Sequence, residues 1–170
     1  ISHFKNLLKS ISDSPEESLD SLSMMDKAEE EQILTEFNGT YTDYPKDKSI
    51  IELFEQQVLY TPENVALVFE DQVLTYYELN KRSNRFAYFL RSKGLKNGTL
   101  VPLCIDRSAD LLIAILGVLT AGCAYGPIDP KYPEDRIRVM LKESESSILI
   151  SSHNSIKKLP ELTDLTVIDI

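Results

Sequence analysis

The stretch from Ala109 to Ala121, ADLLIAILGVLTA, constrains the fold of this chain more than any other segment. It has the length of a helix, yet it is apolar on nearly every side, so other elements must cover it on nearly every side. Ser108 stands at the position of a side-chain cap, and Gly122 supplies a residue able to close the helix in a left-handed conformation. The neighbouring runs Leu100 to Ile105 and Ala124 to Ile128 read as strands. The proline near the start of the first run places the beginning of that strand at or near a sheet edge. The longest apolar stretch, Leu111 to Leu119, is far short of the ~20 residues needed to cross a bilayer.

The same alternation continues on both sides. Ser49-Ile50-Ile51-Glu52 is a capping box, opening a helix with Ile51, Phe54 and Val58 at i, i+3 and i+7 that Pro62 stops. Val65 to Phe69 and Gln72 to Leu74 are β-prone runs joined by Glu70-Asp71, which predicts a hairpin. Thr75-Tyr76-Tyr77-Glu78 is another capping box, and its helix reaches Gly94 with Leu79, Phe86 and Leu90 forming a stripe laid on a sheet. Pro130 to Pro133 turns the chain, with Pro133 at the first position of a helix ending near Glu143. Ser147 to Ser151 and Leu165 to Ile170 are further strands with a brief helix or turn between them. Strands separated by helices of this length predict an α/β fold with a largely parallel sheet.

Residues 1–48 differ in character. They hold 11 acidic and 5 basic side chains, against 16 and 13 in residues 49–170, and read as a solvated connector with a domain boundary near residue 48. Asp26-Lys27-Ala28-Glu29 is a capping box for a helix running to about Phe37, with Ile33, Leu34 and Phe37 on one side and Asn38-Gly39 ending it. TYTDYPKDK then reads as an extended linker. The chain opens on Ile1 without a signal-peptide layout, which is read as a piece of a longer cytoplasmic polypeptide. A net charge of −9 argues against nucleic-acid binding. Cys104 and Cys123 sit in apolar contexts without metal spacing and are expected to be buried, reduced thiols. His3 and His153 have no ligand-spaced partners and receive no role.

Two segments carry a resemblance. Leu74-Thr75-Tyr76-Tyr77-Glu78-Leu79 is similar to the first core motif of the adenylation domains of nonribosomal peptide synthetases, within the acyl-adenylate-forming superfamily. Leu119-Thr120-Ala121-Gly122-Cys123-Ala124-Tyr125-Gly126-Pro127-Ile128-Asp129-Pro130 is similar to the second, with Cys123 where a second glycine is usual and Gly126 where a bulkier residue is usual. Tyr132-Pro133-Glu134-Asp135-Arg136-Ile137 also resembles the family, with Asp135 in place of the commoner Glu. Upstream, HFKNLL and ILTEFNGTYTDYP resemble the end of a condensation domain and its linker.

The resemblance implies that residues 1–48 are a condensation-domain tail and linker, and that residues 49–170 are the N-terminal part of the large adenylation subdomain, truncated before the phosphate-binding loop. It implies a parent ligase that activates an amino acid with ATP and magnesium, then loads it onto the phosphopantetheine of a carrier domain. The partners implied are the condensation and carrier domains, the remainder of the adenylation domain and a small MbtH-like helper, with no nucleic acid and no membrane. An alternative is an interrupted adenylation-like region serving as a non-catalytic platform.

Within the chain no two glycines form a phosphate loop with a nearby Lys-Ser/Thr, and the cations near strand ends, Lys96, Arg107 and Lys131, lie in different loops. Asp129 and Tyr125 invite a catalytic reading because they end a strand. A carboxylate between Pro127 and Pro130 that binds local amides is the simpler account, and Glu78 is explained by its capping box. No catalytic, cofactor-binding or metal-ligating residue is assigned, and the segment itself is expected to bind no cofactor and to be inactive.

Overall fold

The computed structural model describes residues 1–159 and 165–170. They form two compact units, Ile1–Lys46 and Asp47–Ile170.

In the first unit, helix α1 (Ser2–Asp13) and a 3-10 turn at Leu19–Ser21 precede helix α2 (Lys27–Glu31), which continues as a π-helical turn over Gln32–Glu36. Asp26 caps α2 by accepting the Glu29 amide at 2.9 Å, but the expected capping box is only half formed. The Glu29 carboxylate turns to His3 instead, whose Nε2 lies 2.7 and 2.8 Å from its two oxygens, tying α1 to α2. Water can satisfy the exposed amide that Glu29 leaves, so the imidazole is the better partner. At the far end the Asn38 amide donates to the carbonyls of Ile33 and Leu34, satisfying two orphan acceptors of the last turn. The unit has no buried residue; Phe4, Leu8, Leu34 and Phe37 are all exposed.

The second unit begins with helix α3 (Ile50–Tyr60). Its capping box is complete, the Ser49 hydroxyl accepting the Glu52 amide and the Glu52 carboxylate accepting the Ser49 amide. Strands β1 (Val65–Phe69) and β2 (Gln72–Thr75) form the expected antiparallel hairpin, with Glu70 taking a φ of 51° at the turn. Helix α4 (Tyr76–Ser92), strand β3 (Leu100–Cys104), helix α5 (Ala109–Thr120), strand β4 (Ala124–Pro127), helix α6 (Glu134–Glu143), strand β5 (Ile148–Ser151), the single turn α7 (His153–Ile156) and strand β6 (Thr166–Asp169) follow. The last four strands form one parallel sheet in the order β4-β3-β5-β6.

Both faces of this sheet are covered, as parallel sheets require. Val101, Leu103, Ile105, Ile148, Ile150 and Ile168 pack with Ala87 and Leu90 of α4 and Ala114 and Val118 of α5. On the opposite face Cys104 and Leu149 pack with Ile137 and Leu141 of α6. A third cluster joins the hairpin to α4 and α5 through Leu74, Leu79, Ile113 and Leu116, with Ile51 and Phe54 of α3 against it. No residue of α5 is exposed.

One expectation holds in a narrower form and two need correction. β3 is an interior strand of the sheet, yet its first residues have no partner on the β5 side, so the strand begins at an edge as its proline implies. Successive residues of a strand direct their backbone groups to opposite sides; Thr99 and Leu103 give their carbonyls to Ala124 and Ile128 on the β4 side, so Pro102 faces β5. The β5 ladder starts only at Leu103, and the missing N–H of Pro102 therefore costs no ladder bond. The stripe on α4 serves helix packing as well as the sheet, because Leu79 and Phe86 meet α5. Pro133 precedes α6 as its cap residue, with ψ 144°, rather than opening it.

Candidate functional site

Strand β4 follows β3 in the chain and lies beside it, whereas β5 crosses to the other side of β3. The strand order reverses between β3 and β5, and in open α/β sheets the crevice at the carboxyl ends of such a pair is the usual ligand position. Here the chain's own side chains bridge it. The Asp106 amide, just past β3, donates to the Ser155 hydroxyl at 3.0 Å, and that hydroxyl donates back to Asp106 Oδ2 at 3.1 Å. Ser152 donates to Ser155 at 2.9 Å, so the buried Ser155 oxygen has both acceptor sites and its one proton engaged. Lys158 Nζ completes the network at 2.8 Å from Asp106 Oδ2. Beneath it the buried Ser151 hydroxyl donates to the Cys104 carbonyl at 2.7 Å.

The electrostatics follow from these contacts. The hydrogen bond from Lys158 holds the Asp106 carboxyl below the usual carboxylate range, helped by the Ser155 hydroxyl and the charges of Lys158 and Lys131. Burial, with the nearby charges of Asp106 and Asp129, pushes the Cys104 thiol up to about 11, and burial also raises Cys123. Both are buried free thiols. Neither carries appreciable thiolate at neutral pH, so neither is a ready nucleophile.

Sequence reasoning missed Asp106, Ser155 and Lys158. Their bonds span 49 and 52 residues, and the only local hint was an acid directly after an apolar strand. The cations that sequence singled out are divided between the two ends of the sheet: Arg107 and Lys131 follow the adjacent strands β3 and β4, while Lys96 precedes β3 at the opposite end. Gly98 and Gly122, with φ of 80° and 82°, also lie at that opposite end, where the Gly98 amide donates to the Gly122 carbonyl at 2.8 Å. Among the described residues no group of three or more His, Cys, Asp or Glu is placed to hold a metal ion. His153, left without a role, stands 3.6 Å from Asp169.

The two motif segments are junctions. Asp129 Oδ1 accepts the Lys131 amide at 2.9 Å and its carbonyl accepts Tyr132 at 3.0 Å, which makes the turn before α6. Tyr125 stands on β4 opposite Val101 and is exposed. Thr75 Oγ1 accepts the Glu78 amide at 3.2 Å, while the Glu78 carboxylate accepts the Thr75 amide at 2.9 Å. That backbone bond is the main reason the Glu78 carboxyl lies below its ordinary range. A depressed carboxylate stabilises the fold above its unfolded value and loses that contribution as pH falls through the folded one. Thr75→Ala is expected to cost about 0.5–2 kcal/mol, read as loss of amide protection at the start of α4. A variant as stable as wild type, with the start of α4 as well protected, would contradict this structural role.

Comparison with known proteins gives this geometry a family. The family model described as AMP-binding enzyme matches residues 54–169, and the chain belongs to that family. Bacitracin synthase 3 of Bacillus licheniformis is 43% identical over 168 residues, which cover 99% of this chain and 3% of that protein. Among solved structures, the nonribosomal peptide synthetase FmoA3 matches with a TM-score of 0.72 and 26% identity, over 98% of this chain and 18% of that one. The artificially fused adenylation–PCP di-domain NpsA-ThdA of Klebsiella oxytoca matches with a TM-score of 0.66 and 27% identity, over 72% of this chain and 23% of that one. The α/β fold is thus that of the N-terminal part of an adenylation domain, and the chain spans a small fraction of the length of these relatives. No helix among the described residues is long and apolar enough to cross a membrane.

Proposed function

We propose that residues 49–170 begin the amino-acid adenylation domain of a nonribosomal peptide synthetase module and that residues 1–48 are the end of a preceding condensation domain with its linker. In this reading the cytoplasmic parent enzyme, of the class that makes peptide antibiotics, condenses an amino acid with ATP and magnesium to an aminoacyl-adenylate. The acyl group then passes to the phosphopantetheine thiol of a carrier domain. Condensation, carrier and remaining adenylation segments are its partners, and an MbtH-like helper is a further one.

The observation that carries the reading is the coincidence of the family match over 54–169 with two motif segments built as junctions of that fold. Among the described residues no arrangement fits a triphosphate or its metal: the left-handed glycines 98 and 122 lie away from the crevice, and Lys158 is engaged with Asp106. Their part is to position. The boxes at Ser49 and Thr75 fix where α3 and α4 start, α5 fills the interior, and the turn at Asp129 directs the chain into α6.

Amino-acid-dependent exchange of pyrophosphate into ATP by the full-length polypeptide is the test. Exchange with one amino acid or a small set is expected. A folded full-length protein that exchanges with none would overturn the activity and favour the platform role. Calorimetric titration of the 170-residue segment with ATP and magnesium is expected to show no saturable binding; micromolar binding by a monomer would overturn its positioning role.

A further inference from the structure

We propose that the outer face of α4 is a docking surface for an acidic helix of another domain in the same polypeptide; the proposal rests on the multidomain reading above. The inner face of α4 is already used, since Leu79, Ser83, Ala87 and Leu90 are buried. The outer face carries Tyr77, Lys81, Arg85 and Tyr88, at i, i+4, i+8 and i+11, a single stripe about 16 Å long at 1.5 Å per residue. Tyr77 is 51% and Tyr88 77% exposed. With Asn80 and Asn84, whose amides bond each other at 3.1 Å, these side chains line a shallow depression of about 570 Å³.

The charge of this face is opposite to that of the chain. Helix α4 holds Lys81, Arg82, Arg85 and Arg91 against Glu78 alone, in a protein of net charge −9. Among the described residues neither Lys81 nor Arg85 has a carboxylate within ion-pair distance; Lys81 lies over the Tyr77 ring, 5.9 Å from its centroid. Tyrosine and arginine are the side chains that most often anchor interfaces, and tyrosine orders at low entropic cost. Unpaired cations between two such rings complement carboxylates one helical turn apart on a partner helix, whose methylene stems would rest on the tyrosines. A polyphosphate is a poor fit, because a short stripe on a strongly acidic chain neutralises few phosphates.

A water-soluble carbodiimide joins lysine to a carboxylate only when the two are in contact, which makes Lys81 the reporter. In the full-length polypeptide, Lys81 is expected to link to an Asp or Glu outside this chain, with a yield that falls at least about fivefold from low to high salt. Arg85→Ala removes the second cation and places no new carboxylate beside Lys81; it should lower that yield about fivefold while pyrophosphate exchange is maintained. Cross-links confined to carboxylates of this chain, within one copy or between two, would overturn the docking surface, as would a yield that Arg85→Ala leaves unchanged. The two readings fail separately: exchange without the cross-link removes the docking surface alone, and the cross-link without exchange removes the adenylation reading alone.

Discussion

Gly117→Val is expected to pry α4 and α5 apart and to cost about 3 kcal/mol or more, at or above the upper end of ordinary overpacking. A Cβ at Gly117 would lie 2.7 Å from Phe86 Cδ1, 3.2 Å from the backbone oxygen of Ser83 and 3.3 Å from Phe86 Cβ. The ring can swing, but the carbonyl belongs to the backbone of α4 and yields only if the helix moves. The facing residues on α4 are small as well: Ser83 and Ala87 are buried, and the Ser83 hydroxyl satisfies itself on the Leu79 carbonyl at 2.8 Å. Close approach is therefore built into both helices. Gly117→Ala separates the causes, because alanine gains about 1 kcal/mol of helix propensity while keeping the clash. Alanine should come out mildly destabilising and valine severely so, read as a fall in melting temperature and as new proteolytic cuts within residues 76–120 of the full-length polypeptide. A valine variant that melts with wild type would show that the two helices are not locked through this glycine.

The interhelix lock was legible in sequence only by halves. That α5 is apolar all round and must be interior follows from its composition, and the structure leaves none of its residues exposed. The reason for a glycine inside it does not, since an interior helical glycine has many uses and only the facing residues decide among them. The caps were the most readable features, because a capping box is a rule about four consecutive residues. Ser49 and Thr75 form theirs in full and Ser108 accepts the Leu111 amide at 3.2 Å. Where the same rule failed, at Asp26, a competitor 26 residues away captured the Glu29 carboxylate. Pro102 marks the edge at which β3 begins, but that β3 becomes interior from Leu103 onward depends on where β5 begins to pair, which no local pattern states. The bridge of Asp106, Ser155 and Lys158 was invisible because no local pattern encodes a bond across about 50 residues.

Leu103→Ala is expected to lower the stability of the parallel sheet by about 2–5 kcal/mol, the range for truncating a fully buried leucine. Leu103 is 1% exposed, lies on the interior strand and pairs with Pro127 of β4 on one side and Ile150 of β5 on the other. Its side chain belongs to the cluster that holds α4 and α5 against the sheet, so the cavity would open where three elements meet. Strand, helices and backbone bonds surround that space, and it can collapse little, which favours the upper half of the range. Asp106 stands three residues further on, so a loosened β3 should also loosen the bridge to Ser155 and Lys158. Hydrogen exchange in the full-length polypeptide reads both, as faster exchange in residues 100–106 and in residues 148–156 together. Val73→Ala is the control, since Val73 is 54% exposed and its truncation should stay within about 0.5 kcal/mol of wild type. If Leu103→Ala exchanged no faster than that control, β3 would not be the strand on which the sheet and its crevice depend.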